Sequence, residues 1–280
     1  MLNYNTHEVI HLGKVFKSVE EIQFDEVRFI DARFDLQKKE AGSKAFEEGH
    51  APGAIYIDLE QDLSDMGSSD GRHPMPNKEK LSAVFQGLGL NYEDQIVVYD
   101  QGASPFAPRA WWMLTYAGFP NVVIVNGGAP ALEEKIPFTK DIIKYPPTTI
   151  EFVWRDELYA PREAVKAIVD GVVDATLLDA RAAARYRGEM EPLDNVAGHI
   201  PTAKNFDWEQ LKADGHLQAN DALRSKVARD EHVVVYCGSG VTASPLYAVL
   251  ADEGYENIQL YVGSYSDWIT QYDVEKGTNE

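Results

Sequence analysis

His232-Val233-Val234-Val235-Tyr236-Cys237-Gly238-Ser239-Gly240-Val241-Thr242-Ala243-Ser244 is the stretch that decides how this chain folds. Residues 232–236 form an apolar, β-branched run without polar alternation, which suits a strand buried on both faces. Two loop glycines follow, and a helical pattern starts at once. Strand, tight loop and helix predict an open parallel α/β sheet, with Cys237 at the carboxyl end of a strand, where such sheets bind ligands. The loop aims successive N–H groups and the positive end of a helix dipole at whatever sits above the sulfur. Both effects lower a thiol pKa and favour the nucleophilic thiolate. A lone cysteine elsewhere reads as a small buried hydrophobe; here the glycines and the helix start mark it as reactive.

Working outward, the chain is written twice. Phe29-Ile30-Asp31-Ala32-Arg33 recurs as Leu177-Leu178-Asp179-Ala180-Arg181. Gly49-His50-Ala51-Pro52-Gly53-Ala54 recurs as Gly198-His199-Ile200-Pro201-Thr202-Ala203, with Asp58 answered by Asp207 at the same spacing. Ile96-Val97-Val98-Tyr99-Asp100 recurs as Val233-Val234-Val235-Tyr236-Cys237, which places Asp100 opposite the cysteine. The order never changes, so two similar domains are expected, one over residues 1–145 and one over 152–280. The proline-marked stretch near 140–155 joins them. Strands such as Val122-Val123-Ile124-Val125 alternate with helical stretches such as 78–85 and 161–169, so each domain is a mainly parallel central sheet flanked by helices. The first copy's loop, Gln101-Gly102-Ala103-Ser104-Pro105, carries no nucleophile, so that domain walls the site instead of performing thiol chemistry.

Composition narrows the function. The 280 residues are 44% hydrophobic and 25% charged, ordinary for a soluble globular chain. No apolar stretch has membrane-spanning length, and the polar start, Met1 to His7, does not read as a signal peptide. A single cysteine forms no internal disulfide, which fits a reducing cytoplasm. Twenty-six basic residues against 45 acidic ones give a net charge of −19, which argues against nucleic acid or an anionic membrane as partner. An anionic substrate therefore needs a local positive site. The seven scattered histidines make no metal cluster, and Gly238-Ser239-Gly240 lacks the third glycine of a dinucleotide fingerprint. No cofactor or metal is expected.

The doubled Asp-Ala-Arg strand end, the doubled Gly-His-x-Pro-x-Ala segment and the cysteine loop resemble the two-domain rhodanese family of thiosulfate and 3-mercaptopyruvate sulfurtransferases, over nearly the whole chain. The resemblance implies two tandem rhodanese-like domains, the first catalytically inactive. It implies a persulfide on Cys237, formed from 3-mercaptopyruvate or thiosulfate and discharged to a thiol, a thioredoxin-like protein or cyanide. Cys237 to Thr242 looks like the mercaptopyruvate subgroup, since the thiosulfate subgroup carries basic residues directly after the cysteine. In that subgroup Ser239 resembles part of a Cys-Ser-Asp relay whose aspartate comes from the first domain, and Asp58 is the matching position. Asp58 also reads as a strand-end cap, because Asp207 holds the equivalent place in the other copy. Arg185 matches the arginine for the donor's carboxylate or sulfonate. Gly238, Gly240, Val241 and Thr242 belong to the expected N–H cradle, and His73 resembles the family's histidine near the interdomain cleft. The family's second arginine is missing from 189–195; Arg187, Arg109 and His73 are candidates for its charge. His50, His199, Asp31, Arg33, Asp179 and Arg181 are duplicated and read as framework, and Trp111, Trp112 and Trp268 as packing.

Two other enzyme classes fit poorly. A cysteine phosphatase needs an arginine six residues after the cysteine, where Ala243 stands. A disulfide oxidoreductase needs a second cysteine. A non-catalytic persulfide carrier fed by a partner protein stays open as the alternative.

Overall fold

The computed structural model describes residues 13–278; the polar N-terminal stretch read above lies outside them. The first domain runs β1 (Phe16–Lys17), β2 (Val27–Asp31), α1 (Ala41–Glu48), β3 (Ile55–Tyr56), α2 (Lys78–Gly87), β4 (Gln95–Tyr99), α3 (Phe106–Tyr116), β5 (Val122–Val125) and α4 (Gly128–Glu133). Its strands pair in the order β1-β5-β4-β2-β3, every pair parallel. The second domain runs α5 (Arg162–Val169), β6 (Thr176–Asp179), α6 (Ala183–Tyr186), β7 (Lys204–Asn205), β8 (Lys212–Ala213), β9 (His216–Leu217), α7 (Asp221–Arg224), β10 (Val233–Tyr236), α8 (Ala243–Asp252), β11 (Ile258–Leu260) and α9 (Ser264–Trp268). Its main sheet is β11-β10-β6-β7, again all parallel, and Tyr159 bridges Leu260 on the outer side of β11 where β1 stands in the first copy. The two sheets therefore share one strand order. β8 and β9 form a separate antiparallel ribbon.

The duplicated residues build duplicated joints. Arg33 Nη2 meets Asp31 Oδ2 at 2.5 Å and donates to the Gly49 carbonyl at 2.7 Å. Arg181 repeats this with Asp179 at 2.6 Å and Gly198 at 2.7 Å. His50 stacks on Phe46 and His199 on Tyr186, both with ring centroids 3.9 Å apart. Each joint ties the end of a central strand to the helix–loop segment that follows it, in both copies alike.

The domains meet along α3 and α8, the helices that follow the two equivalent loops. Every residue of α3 and all of 243–251 in α8 are buried, which explains why both are largely apolar. Tyr247 of α8 lies 6.2 Å from Trp111 and 6.3 Å from Trp112 between ring centroids. The connector over 140–155 has no helix or regular strand; it lies along the first domain, with Thr148 N–H bonded to Gln86 O and Val153 N–H to Tyr92 Oη. Among the described residues no helix is long and apolar enough to cross a membrane. None of their His, Cys, Asp and Glu side chains form a group that could hold a metal ion.

Candidate active site

β10 delivers Cys237 to a closed loop in which the thiol is 1% exposed. The Cys237 N–H donates to Ser264 Oγ at 3.1 Å, and Sγ accepts from the Gly240 N–H at 3.1 Å. The turn that aims this N–H requires glycine. Gly240 has φ +74°, and a Cβ there would strike the Val262 carbonyl. Gly238 is constrained from outside instead: a Cβ there would come within 2.5 Å of Arg72 Nη2 and 3.3 Å of Arg185 Nη2. Val241 is buried in the core, and Thr242 is the residue from which α8 starts.

The first domain reaches this loop through residues 57–76, which contain no helix or strand. His73 Nδ1 lies 2.9 Å from Ser239 Oγ. Its Nε2 faces Glu60 Oε1 at 3.8 Å, while the other Glu60 oxygen takes Lys39 Nζ at 2.7 Å. With the ring proton on Nε2, toward Glu60, Nδ1 accepts the Ser239 O–H. Burial, aided by Arg109, Arg72 and Lys39, pulls His73 down to about 4, so the ring is neutral at physiological pH.

Asp58, the aspartate expected beside Ser239, makes its hydrogen bonds elsewhere. Asp58 Oδ1 accepts the N–H groups of Glu60 at 2.8 Å and Gln61 at 2.9 Å, so the carboxylate caps its own turn. Asp207 does the same for Glu209 at 3.0 Å. The carboxylate behind the histidine is Glu60, two residues on.

Three arginines approach the loop, and Arg187 is not among them. Arg187 is clamped by Glu189 at 2.7 Å on the surface. Arg185 Nη2 meets Glu191 Oε1 at 2.7 Å and Asp194 Oδ2 at 3.3 Å. Arg72, which the sequence pattern does not single out, pairs with the other oxygen of Asp194. Arg109 is fully buried, and no carboxylate pairs with it among the described residues. It donates to the carbonyls of Gly240 at 3.2 Å, Leu63 at 3.0 Å and His73 at 3.4 Å, so it ties the cysteine loop to the first domain. Burial lowers the Arg109 pKa to about 10, and Cys237 is the first neighbour that opposes the shift.

In the first domain the same loop is filled by its own side chain. Asp100 Oδ1 accepts the Gly102 N–H at 2.8 Å and Oδ2 the Ala107 N–H at 2.9 Å. A fixed carboxylate accepts loop N–H groups here, where the second copy turns the Gly240 N–H toward Cys237. Burial raises this carboxyl to about 6 against those hydrogen bonds.

Comparison with known proteins agrees with the doubled architecture. The family model for the rhodanese-like domain matches twice, over residues 17–135 and 157–271. The chain belongs to the rhodanese family. This rhodanese is similar to SseB of Mycobacterium tuberculosis, a protein named for thiosulfate sulfurtransferase activity, with 38% identity over 252 residues, 87% of this chain and 88% of the relative. It is 33% identical over 270 residues to the 3-mercaptopyruvate sulfurtransferase of Escherichia coli, covering 91% of this chain and 93% of the relative. The solved structure of SseA from Escherichia coli superposes on this rhodanese with a TM-score of 0.78 at 31% identity, over 91% of this chain and 100% of that one.

Proposed function

We propose that this sulfurtransferase takes the thiol sulfur of 3-mercaptopyruvate onto Cys237 as the outer sulfur of a persulfide and passes it to cyanide or a thiol acceptor. The Cys237 thiolate attacks the donor sulfur. A sulfur–sulfur bond forms, the carbon–sulfur bond breaks, and its electron pair leaves on the enolate of pyruvate. The enolate takes a proton at carbon and departs as pyruvate. The acceptor then attacks the outer sulfur, the sulfur–sulfur bond breaks, and the Cys237 thiolate returns. The Gly240 N–H on Sγ and the neighbouring loop amides stabilise the anionic sulfur. Arg185 takes the donor's carboxylate.

The Ser239–His73 hydrogen bond is the observation that carries the donor assignment. An enolate leaving group needs a proton, whereas the sulfite leaving from thiosulfate is a stable anion that needs none. A serine hydroxyl backed by a neutral histidine and Glu60 is a device for moving that proton. The loop also carries no basic side chain between Cys237 and Ala243 that would favour a dianion. The test is steady-state transfer to cyanide with both donors on one preparation. A higher kcat/KM for 3-mercaptopyruvate supports the assignment; a preference for thiosulfate overturns it.

A further inference from the structure

Arg185 is not alone over the cysteine loop. A Cβ placed on Gly238 would approach Arg72 Nη2 to 2.5 Å and the two terminal nitrogens of Arg185 to 3.3 and 3.4 Å. Both guanidinium groups therefore lie against the residue next to Cys237. One carboxyl group joins them: Asp194 gives one oxygen to Arg185 and the other to Arg72. A planar carboxylate with one arginine on each oxygen is how a donor's own carboxylate would be held.

Arg72 is fixed in this place by its backbone. Its N–H donates to Ser266 Oγ at 3.1 Å, and the Ser266 N–H donates to the Gly238 carbonyl at 2.9 Å. Gly71, with φ +101°, sits so close to Ser266 and Gly263 that a Cβ would lie 2.7 Å from Ser266 Oγ. The first-domain loop is thus docked through Ser266 onto the cysteine loop itself. The Asp194 side chain is only 5% exposed, but no helix or strand holds its backbone. It belongs to residues 187–198, which form no helix or strand and leave Met190 and Leu193 more than half exposed. Glu191 pairs with Arg181 at 3.3 Å and Arg185 at 2.7 Å, so the cluster holds a second carboxylate that does not depend on Asp194.

We propose that Arg72 is the second donor-binding cation of this enzyme, and that Asp194 is an internal stand-in for the donor carboxylate, which displaces it. The proposal rests on the sulfurtransferase reading and adds a specificity residue that the first domain supplies. It also accounts for how a chain of net charge −19 holds an anion: the site keeps its two cations neutralised until a better-placed carboxylate arrives.

The test is donor kinetics with cyanide as acceptor, for the full chain and for Arg72→Ala, Arg72→Lys and Asp194→Asn. Arg72→Ala raises the KM for 3-mercaptopyruvate about 10-fold with kcat changed less than about 2-fold, the pattern of lost uniform binding. Arg72→Lys restores most of the loss, because a point charge keeps the attraction without the fork. Asp194→Asn shifts KM the other way, down about 3-fold, since the competing charge is gone. An unchanged KM in Arg72→Ala overturns the role of Arg72. A raised KM in Asp194→Asn overturns the stand-in and makes Asp194 a strut. Wild-type protein that turns over neither donor overturns the underlying reading, a failure distinct from either of these.

Discussion

His73 Nδ1 stands 2.9 Å from Ser239 Oγ, although 166 residues separate the two in the chain. One belongs to the domain without a nucleophile and the other to the cysteine loop, so the hydrogen bond exists only when the domains are docked. The first domain thereby supplies a side chain to the cysteine loop.

That relationship separates two nearby carboxylates. His73→Ala should lower kcat with 3-mercaptopyruvate by about 10²-fold, the scale of general acid–base assistance. Asp58→Asn should leave kcat within a few-fold and instead cost about 1 kcal/mol of stability, the scale of a lost cap. Steady-state assays and urea midpoints on both variants check this. A large kcat loss confined to Asp58→Asn would place Asp58 in the relay.

The depressed His73 pKa sets a pH window. An unfolded histidine titrates near 6.5, whereas buried His73 titrates at about 4. Above the unfolded value both states are neutral and His73 contributes nothing. As pH falls from about 6.5 toward about 4, the unfolded chain takes up a proton that the folded chain refuses, so stability drops. His73→Gln should therefore lose less stability than wild type between pH 7 and pH 5 in denaturant titrations. Parallel losses in the two proteins would place the His73 pKa near its ordinary value.

Arg109 makes a different kind of prediction. Arg109→Met leaves the buried carbonyls of Gly240, Leu63 and His73 without this donor and should cost about 3 kcal/mol. The loop that presents the Gly240 N–H to Cys237 Sγ should also loosen and expose the thiol. The rate of iodoacetamide labelling reads the second effect: it should rise in Arg109→Met, and an unchanged rate would show that the loop stays closed without this donor.

Much of the fold and site is legible in the sequence because it is local or repeated. The buried run 233–235, the glycines after Cys237 and the doubled Asp-Ala-Arg segments each fix a short stretch by its own chemistry. Asp100 opposite Cys237 follows from order alone. What is not legible depends on docking. The repeat points to Asp58 and hides Glu60, yet Asp58 accepts the N–H two residues on just as its counterpart Asp207 does. Arg72 lies in an aperiodic Gly- and Pro-containing loop, and its meaning comes from Ser266, far along the chain. The available signal is the pair Glu191 and Asp194 just after Arg185: acidic residues in a segment expected to be basic require cations from elsewhere.

The most direct test of the central claim is the intact mass of the protein after exposure to 3-mercaptopyruvate without acceptor. The account predicts the gain of one sulfur atom, mapped to the peptide containing Cys237, lost again on adding cyanide and absent in Cys237→Ser. A Cys237→Ser protein that still transfers sulfur to cyanide, or a wild-type protein that turns over without ever carrying the adduct, would contradict it.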